Sequence, residues 1–365
     1  MSVHFNAARW ARVRENYRKW WAGELDRPLL AITVGGYAGD RPEPPLAAQP
    51  FVSFYDARVP AEAIVDRADY DLSTERYLGD AFPRYAPSFG PAVITAFAGC
   101  RLENGESTVW FHPDEERTPA DIHLALNPAN DWFRRAGALY RAAVARWNGA
   151  VQIDMLDLGG SLDTVAPFRT TGKLLTDLYD HPAEVKRLVW EAHRLWWDSF
   201  AAFNAILKPS NPGYTAWLPL FSDTPYYTLQ CDFAYMIGPD MFDEFVRPEL
   251  QATCRRLGHS IYHLDGVGQL PHLSSLLALP ELNAIQWVAG DGQPGAEHWG
   301  DVYRKIRSSG KLMQVSAGHS ENSFQVIDFL AQATGSGRGF IVTGRVPRRR
   351  EAEMRELLRK YGAEA

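Results

Sequence analysis

"SIYHLDGVGQLPHLSSLLALPELNAIQWV", residues 260–288, decides the fold. "SIYHL" (260–264) and "NAIQWV" (283–288) are short, apolar, β-prone runs, and the stretch between them predicts a helix over 269–279. The same rhythm continues to the C-terminus. The strand at 283–288 precedes a helix predicted over 297–309. "KLMQVS" (311–316) precedes one over 322–334, and "GFIVTG" (339–344) one over 347–361. Apolar runs without alternation are expected of strands covered on both faces. Strand-then-helix units in series give right-handed crossovers and a parallel sheet, open or closed. No GxGxxG or GxxxxGK[ST] turn follows any of these strands, so a nucleotide-binding fold has no local support. The expected fold class is α/β, a (β/α)8 TIM barrel with an N-terminal helical and irregular extension. The length fits one such domain, with residues 1–90 as the elaboration and about 91–365 as the barrel.

Upstream the rhythm is looser. Trp10, Val13, Tyr17, Trp20 and Trp21 recur at helical spacing and predict an amphipathic helix over 7–22. "DRPLLAITV" (26–34) reads as a strand, and the Pro- and Gly-rich stretch 36–62 as an irregular connection. Residues 63–90, with "YLGDAFPRYAPSFGP", are expected to lack regular structure. "AVITAFAG" and "STVWFHP" read as strands of a hairpin around Asn104-Gly105. A helix over 130–148 leads into the strand "AVQIDML". A long helix starts near Pro182, and another runs from Pro239 to before Gly258, kinked at Pro248.

The bulk numbers narrow the function classes. A net charge of −6 argues against a nucleic-acid surface, which needs a basic excess. Three cysteines, Cys100, Cys231 and Cys254, are too few and odd in number for a disulfide framework and point to a reducing compartment. No stretch approaches the roughly 18 apolar residues of a membrane span, and the N-terminus lacks the apolar segment of a secretion signal. A cytoplasmic enzyme with a small-molecule substrate is expected, with no membrane or nucleic-acid partner; a homodimer is open.

In a barrel, chemistry sits at the C-terminal ends of the strands. Those ends carry Asp157 after "VQIDML", Gln230 and Asp232 at the end of "YYTLQ", and His263 and Asp265 at the end of "SIYHL". Trp287 follows "NAIQ", Ser316 and His319 follow "LMQV", and Thr343 and Arg345 follow "GFIV". Side chains alternate along a strand, so His263 and Asp265 share a face. Three roles are open for them: ligands of a divalent metal, an acid–base pair, or a hydrogen-bonded pair closing the turn. Asp232 and Asp157 are candidates for orienting substrate, and Arg169 or Arg345 for an anionic group. Tyr226 and Trp287 are candidate walls, and Gln230 a polar contact. Cys231 reads as a small buried hydrophobe.

"LQCDFAYMIGPDMFDEFVRPEL" followed by "IYHLDGVGQLPHLSSLLALPELNAIQW" resembles the uroporphyrinogen decarboxylase superfamily, and so does "DLGGSLDTVAPFRTTGKLLTDLYDHPAEVKRL". The resemblance covers roughly residues 130 to 361. It implies a TIM barrel with a deep pocket and one of two activities. One is cofactor-free decarboxylation. The other is methyl transfer between a corrinoid, supplied by a partner protein, and a zinc-activated thiol. The decarboxylase branch uses an arginine-rich N-terminal loop; here the corresponding regions hold only Arg27, Arg76 and Arg84. The methyltransferase branch uses a histidine, a cysteine two residues on and a second cysteine near the last strand. His263 matches the histidine, Asp265 stands in the first cysteine's place, and "GFIVTGR" has no cysteine. The resemblance therefore implies methyl transfer or demethylation of a small substrate in a corrinoid system. His263 and Asp265 would hold a divalent metal, zinc or a harder ion, in place of the soft thiolate set. The alternatives are a cofactor-free decarboxylase in which Asp232 stabilises positive charge, and a non-catalytic barrel that binds a corrinoid or another protein.

Overall fold

A computed structural model describes residue 3 and residues 5–317 and 323–363. His319 lies outside them. The described residues form eleven strands: β1 (Leu29–Gly35), β2 (Arg76–Gly79), β3 (Arg84–Tyr85), β4 (Arg101–Asn104), β5 (Val109–His112), β6 (Gln152–Ile153), β7 (Tyr226–Gln230), β8 (His259–Asp265), β9 (Ala284–Val288), β10 (Leu312–Ser316) and β11 (Phe340–Pro347). Seven form one sheet in the order β2-β1-β11-β10-β9-β8-β7. Every pairing in it is parallel except β1 with β2. The chain is therefore an α/β protein with a mainly parallel sheet. The expected units of the last third are all there, with helices Gly300–Ser308, Val326–Thr334 and Glu351–Lys360 after β9, β10 and β11.

Strand pairing gives the expected parallel sheet without tracing a closed barrel. Among the described residues the ladder spans seven strands, and "AVQIDML" is regular only over Gln152–Ile153, paired with β3. The reason is that its next backbone groups find other partners. Met155 N–H donates to Thr215 O, Leu156 N–H to the Tyr140 hydroxyl, and Gly159 N–H to Asp157 Oδ1. Tyr227 of β7 bridges the gap with one hydroxyl, donating to Leu156 O at 2.7 Å and accepting from Leu158 N–H at 2.6 Å. Buried backbone groups are thus satisfied by side chains where a continuous strand would have used its neighbour.

Five further expectations change. Residues 63–90 are not irregular throughout: Ala61–Ser73 is a helix, burying Ala61, Ile64, Val65 and Leu72 on one face. "AVITAFAG" is a short buried helix over Ile94–Phe97, since an apolar run of this length has no period to distinguish the two states. The hairpin at Asn104-Gly105 exists, but β5 pairs with β4. The helix after β8 is a 3-10 turn, Val267–His272, then Leu273–Leu277, because Pro271 lacks an N–H to donate. The kink near Pro248 is a break at Val246 between Pro239–Phe245 and Arg247–Arg256.

The N-terminal helix Ala7–Trp21 packs against the N-terminal ends of β7 and β8. Trp10, Tyr17, Trp20 and Trp21 are all buried. Trp21 stacks on His259 at 4.4 Å and lies 5.7 Å from Tyr226, the first residues of β8 and β7. Its indole N–H donates to Phe221 O at 2.8 Å. The N-terminal ends of these strands are thereby covered by aromatic rings, and the C-terminal ends carry the polar residues. No helix among the described residues is long and apolar enough to cross a membrane.

Tyr227→Phe removes the hydroxyl that satisfies two buried backbone groups. Urea unfolding should show a loss of roughly 1–3 kcal/mol, with a lower midpoint and an unchanged slope.

Candidate metal centre

Parallel register builds the site. Gln230 of β7 is paired with His263 of β8, His263 with Gln286 of β9, and Gln286 with Gln314 of β10. Residues in register point to the same side of a sheet, so one row of amide and imidazole groups crosses four strands. Asp265 stands two residues beyond His263 on the same face. Asp232 stands two residues beyond Gln230, at the start of the 3-10 helix Asp232–Met236. One ligand atom each from Asp232, His263 and Asp265 lies within 4.8 Å of the others.

The imidazole is held from several sides. Its Nδ1 lies 2.5 Å from Gln286 Oε1, its Nε2 lies 3.7 Å from Asp265 Oδ2, and its ring meets Trp217 edge to face at 5.0 Å. With Gln286 accepting from Nδ1–H, the Nε2 lone pair faces the two carboxylates. Gly266 follows Asp265 with φ of +83°, and a Cβ there would come 2.7 Å from the Tyr235 ring. Only glycine allows the chain to turn away beneath that ring.

Two more acids surround the triad. Asp163, near the start of helix Ser161–Arg169, accepts from Asp232 N–H at 3.0 Å and Phe233 N–H at 2.8 Å. It thereby pins the turn that carries Asp232. Burial, and then the Asp232 charge, push its carboxyl up to about 7. Asp157 is pushed up to about 6 by burial, against the pull of the Gly159 and Ala92 N–H groups. Asp232 is raised by burial, and His263 opposes that shift. For His263, burial pulls the imidazole down, but Asp265, Gln286 and Asp232 outweigh it and raise the group. Four carboxylates around one imidazole leave excess negative charge, which either bound protons or a cation must offset.

The cysteines take no part. All three are free and buried, and burial raises the Cys231 thiol well above its ordinary value although it neighbours Asp232. The soft-ligand set is thus absent from the triad, and the donors present are one imidazole and two carboxylates.

The other expected site residues scatter. Gln230 lines a cavity of about 630 Å³ together with Asp163 and Asp232. Trp287 lines another, of about 700 Å³, together with Asp265. Tyr226 is fully buried at the opposite end of β7, four residues and about 13 Å from Gln230, with its hydroxyl bonded to Thr228. Arg169 is engaged with Asp177 at 2.6 and 3.0 Å and with Arg117 O. Arg345 pairs with Glu75 at a separate cavity of about 290 Å³ that also holds Tyr77 and Arg84. Asp163 and Gln286 were not singled out from the residues. "GSLD" carried the signal for Asp163; Gln286, inside an apolar run, had none short of the register.

No family model and no curated protein matches the chain. A methyltransferase from Methanosarcina mazei is similar in structure, with a TM-score of 0.56 and 12% identity over 91% of this chain and 92% of that one. At that identity the likeness shows a shared α/β fold.

Stability should fall as pH rises. Asp157 and Asp163 sit at about 6 and about 7, above the ordinary 3.8. The folded protein therefore keeps protons that the unfolded chain releases between these values, so folding is favoured most at the acidic end and less at the neutral end. His263, also raised, acts in the same direction: its contribution is present below its ordinary 6.5 and lost as pH passes its folded value. Urea titrations across this interval should show the decline. Asp163→Asn should flatten its acidic part, whatever the variant's absolute stability.

Proposed function

We propose that this chain is a metal-dependent transferase that binds one divalent cation through Asp232, His263 and Asp265 and acts on a small molecule, methyl transfer being the reaction the shared fold favours. The observation that carries the reading is the convergence of three ligand atoms within 4.8 Å at the C-terminal ends of adjacent parallel strands. One imidazole with two carboxylates suits zinc, manganese, cobalt or iron in the divalent state, and the absence of a thiolate argues against a soft-ion site. Gln286 fixes the tautomer that leaves Nε2 free to ligate. A bound cation would act as a Lewis acid and would offset the surplus negative charge.

The chain's own residues would do the rest. Asp163 holds the Asp232 turn through two backbone N–H groups, so the ligand's position does not depend on a mobile loop. Asp232 lines one cavity and Asp265 another, so each carboxylate of the triad borders space for a small molecule.

A second reading, cofactor-free decarboxylation, is favoured by the carboxyl of Asp163 at about 7. An acid still partly protonated at neutral pH can deliver a proton to a carbanion.

Protein prepared without chelator should carry one divalent metal per chain by mass spectrometry. His263→Ala should lose it, and Gln286→Leu should weaken binding by roughly 10- to 100-fold. Wild-type protein that takes up no metal on titration with zinc, manganese or cobalt would sink the first reading. Turnover that survives chelation but is lost in Asp163→Asn would establish the second.

A further inference from the structure

The cavity of about 700 Å³ on the Asp265 side has a particular composition. Its walls include Trp287, Trp299 and Tyr303, its acids are Asp265 and Asp291, and neither lysine nor arginine is among the described residues that line it. The Trp287 and Trp299 rings lie 5.2 Å apart at 74°, forming two sides of a corner. Both rings are held in place. Trp287 is buried at the end of β9, and the Trp299 indole N–H donates to Pro294 O at 3.1 Å. The contrast with the cavity beside β1 and β11 is direct, because that one carries Arg84 and Arg345.

Ring faces attract a cation through their quadrupole, and nearby carboxylates add long-range attraction. A primary ammonium brings N–H donors that must be matched on leaving water; against the ring faces and Val315 they go unmatched, and only Asp265, Asp291 and Ser316 offer side-chain acceptors. A quaternary ammonium has no N–H and is weakly hydrated, so it enters such a corner at lower cost. We infer that this cavity binds a quaternary ammonium compound, the substrate class of the candidate metal centre, with its cationic head against Trp287 and Trp299 and its charge balanced by Asp291. The inference rests on the metal-dependent transferase reading for its functional meaning, but the cage stands or falls on its own binding data.

Choline and its neutral carbon isostere, 3,3-dimethylbutan-1-ol, separate the cation effect from plain apolar burial. With the full chain, calorimetry should show choline binding about tenfold tighter than the isostere. Trp299→Leu and Asp291→Asn should each weaken choline several-fold and leave the isostere nearly unchanged. Trp299→Phe should retain most of the choline affinity, which guards against a simple folding defect. Equal affinity for the two probes would overturn the inference, as would no choline binding by wild-type protein with a cooperative thermal transition. Metal content is measured on the same samples. Choline selectivity in protein that takes up no metal would leave the cage and remove the metal reading; metal uptake without choline selectivity would do the reverse.

Discussion

The contact between His263 Nδ1 and Gln286 Oε1 is available only because β8 and β9 run parallel and in register. A shift of one residue would send His263 to the other face and Asp265 with it. The same register places Gln230 on the far side of His263 and Gln314 beyond Gln286. Strand pairing, driven by burial of the apolar residues between these polar ones, therefore does the work of assembling the site. The polar row is tolerated in a buried setting because its members find partners, Gln286 on His263 and Gln314 on Thr343.

The rest of the architecture protects that arrangement. The N-terminal helix packs rings against the opposite end of β7 and β8. Tyr227 ties β7 to the segment after β6 by a hydroxyl bridge, and Asp163 ties that same region to the Asp232 turn. These side-chain links stand in for the ladder that a regular eighth strand would have supplied. They also bring Asp157 and Asp163, both raised by burial, close to the triad.

Residues chosen for chemical type alone fared differently from those chosen by position in a motif. Arg169 had the right chemistry for an anion, yet its guanidinium faces Asp177, eight residues on. Tyr226 lies in the right strand at the wrong end. Asp232, His263 and Asp265 were reached through strand ends and meet in space. Asp163 lies in "GSLD" with no local mark of its role, because a carboxylate in a helix looks like any other until its partners, the Asp232 and Phe233 N–H groups, are known.

The amino-acid sequence by itself determined the strand–helix rhythm from residue 260 onward, the parallel α/β class, and the pairing of His263 with Asp265 on one face. Those follow from local periodicity, which needs no neighbour to be read. Only the tertiary structure decided that Asp232 joins them, that Gln286 orients the imidazole, that Ile94–Phe97 is helical, and that the strand after Ala150 stops at Ile153. Each of these depends on contacts between residues far apart in the chain, where packing and hydrogen-bond satisfaction outweigh local preference.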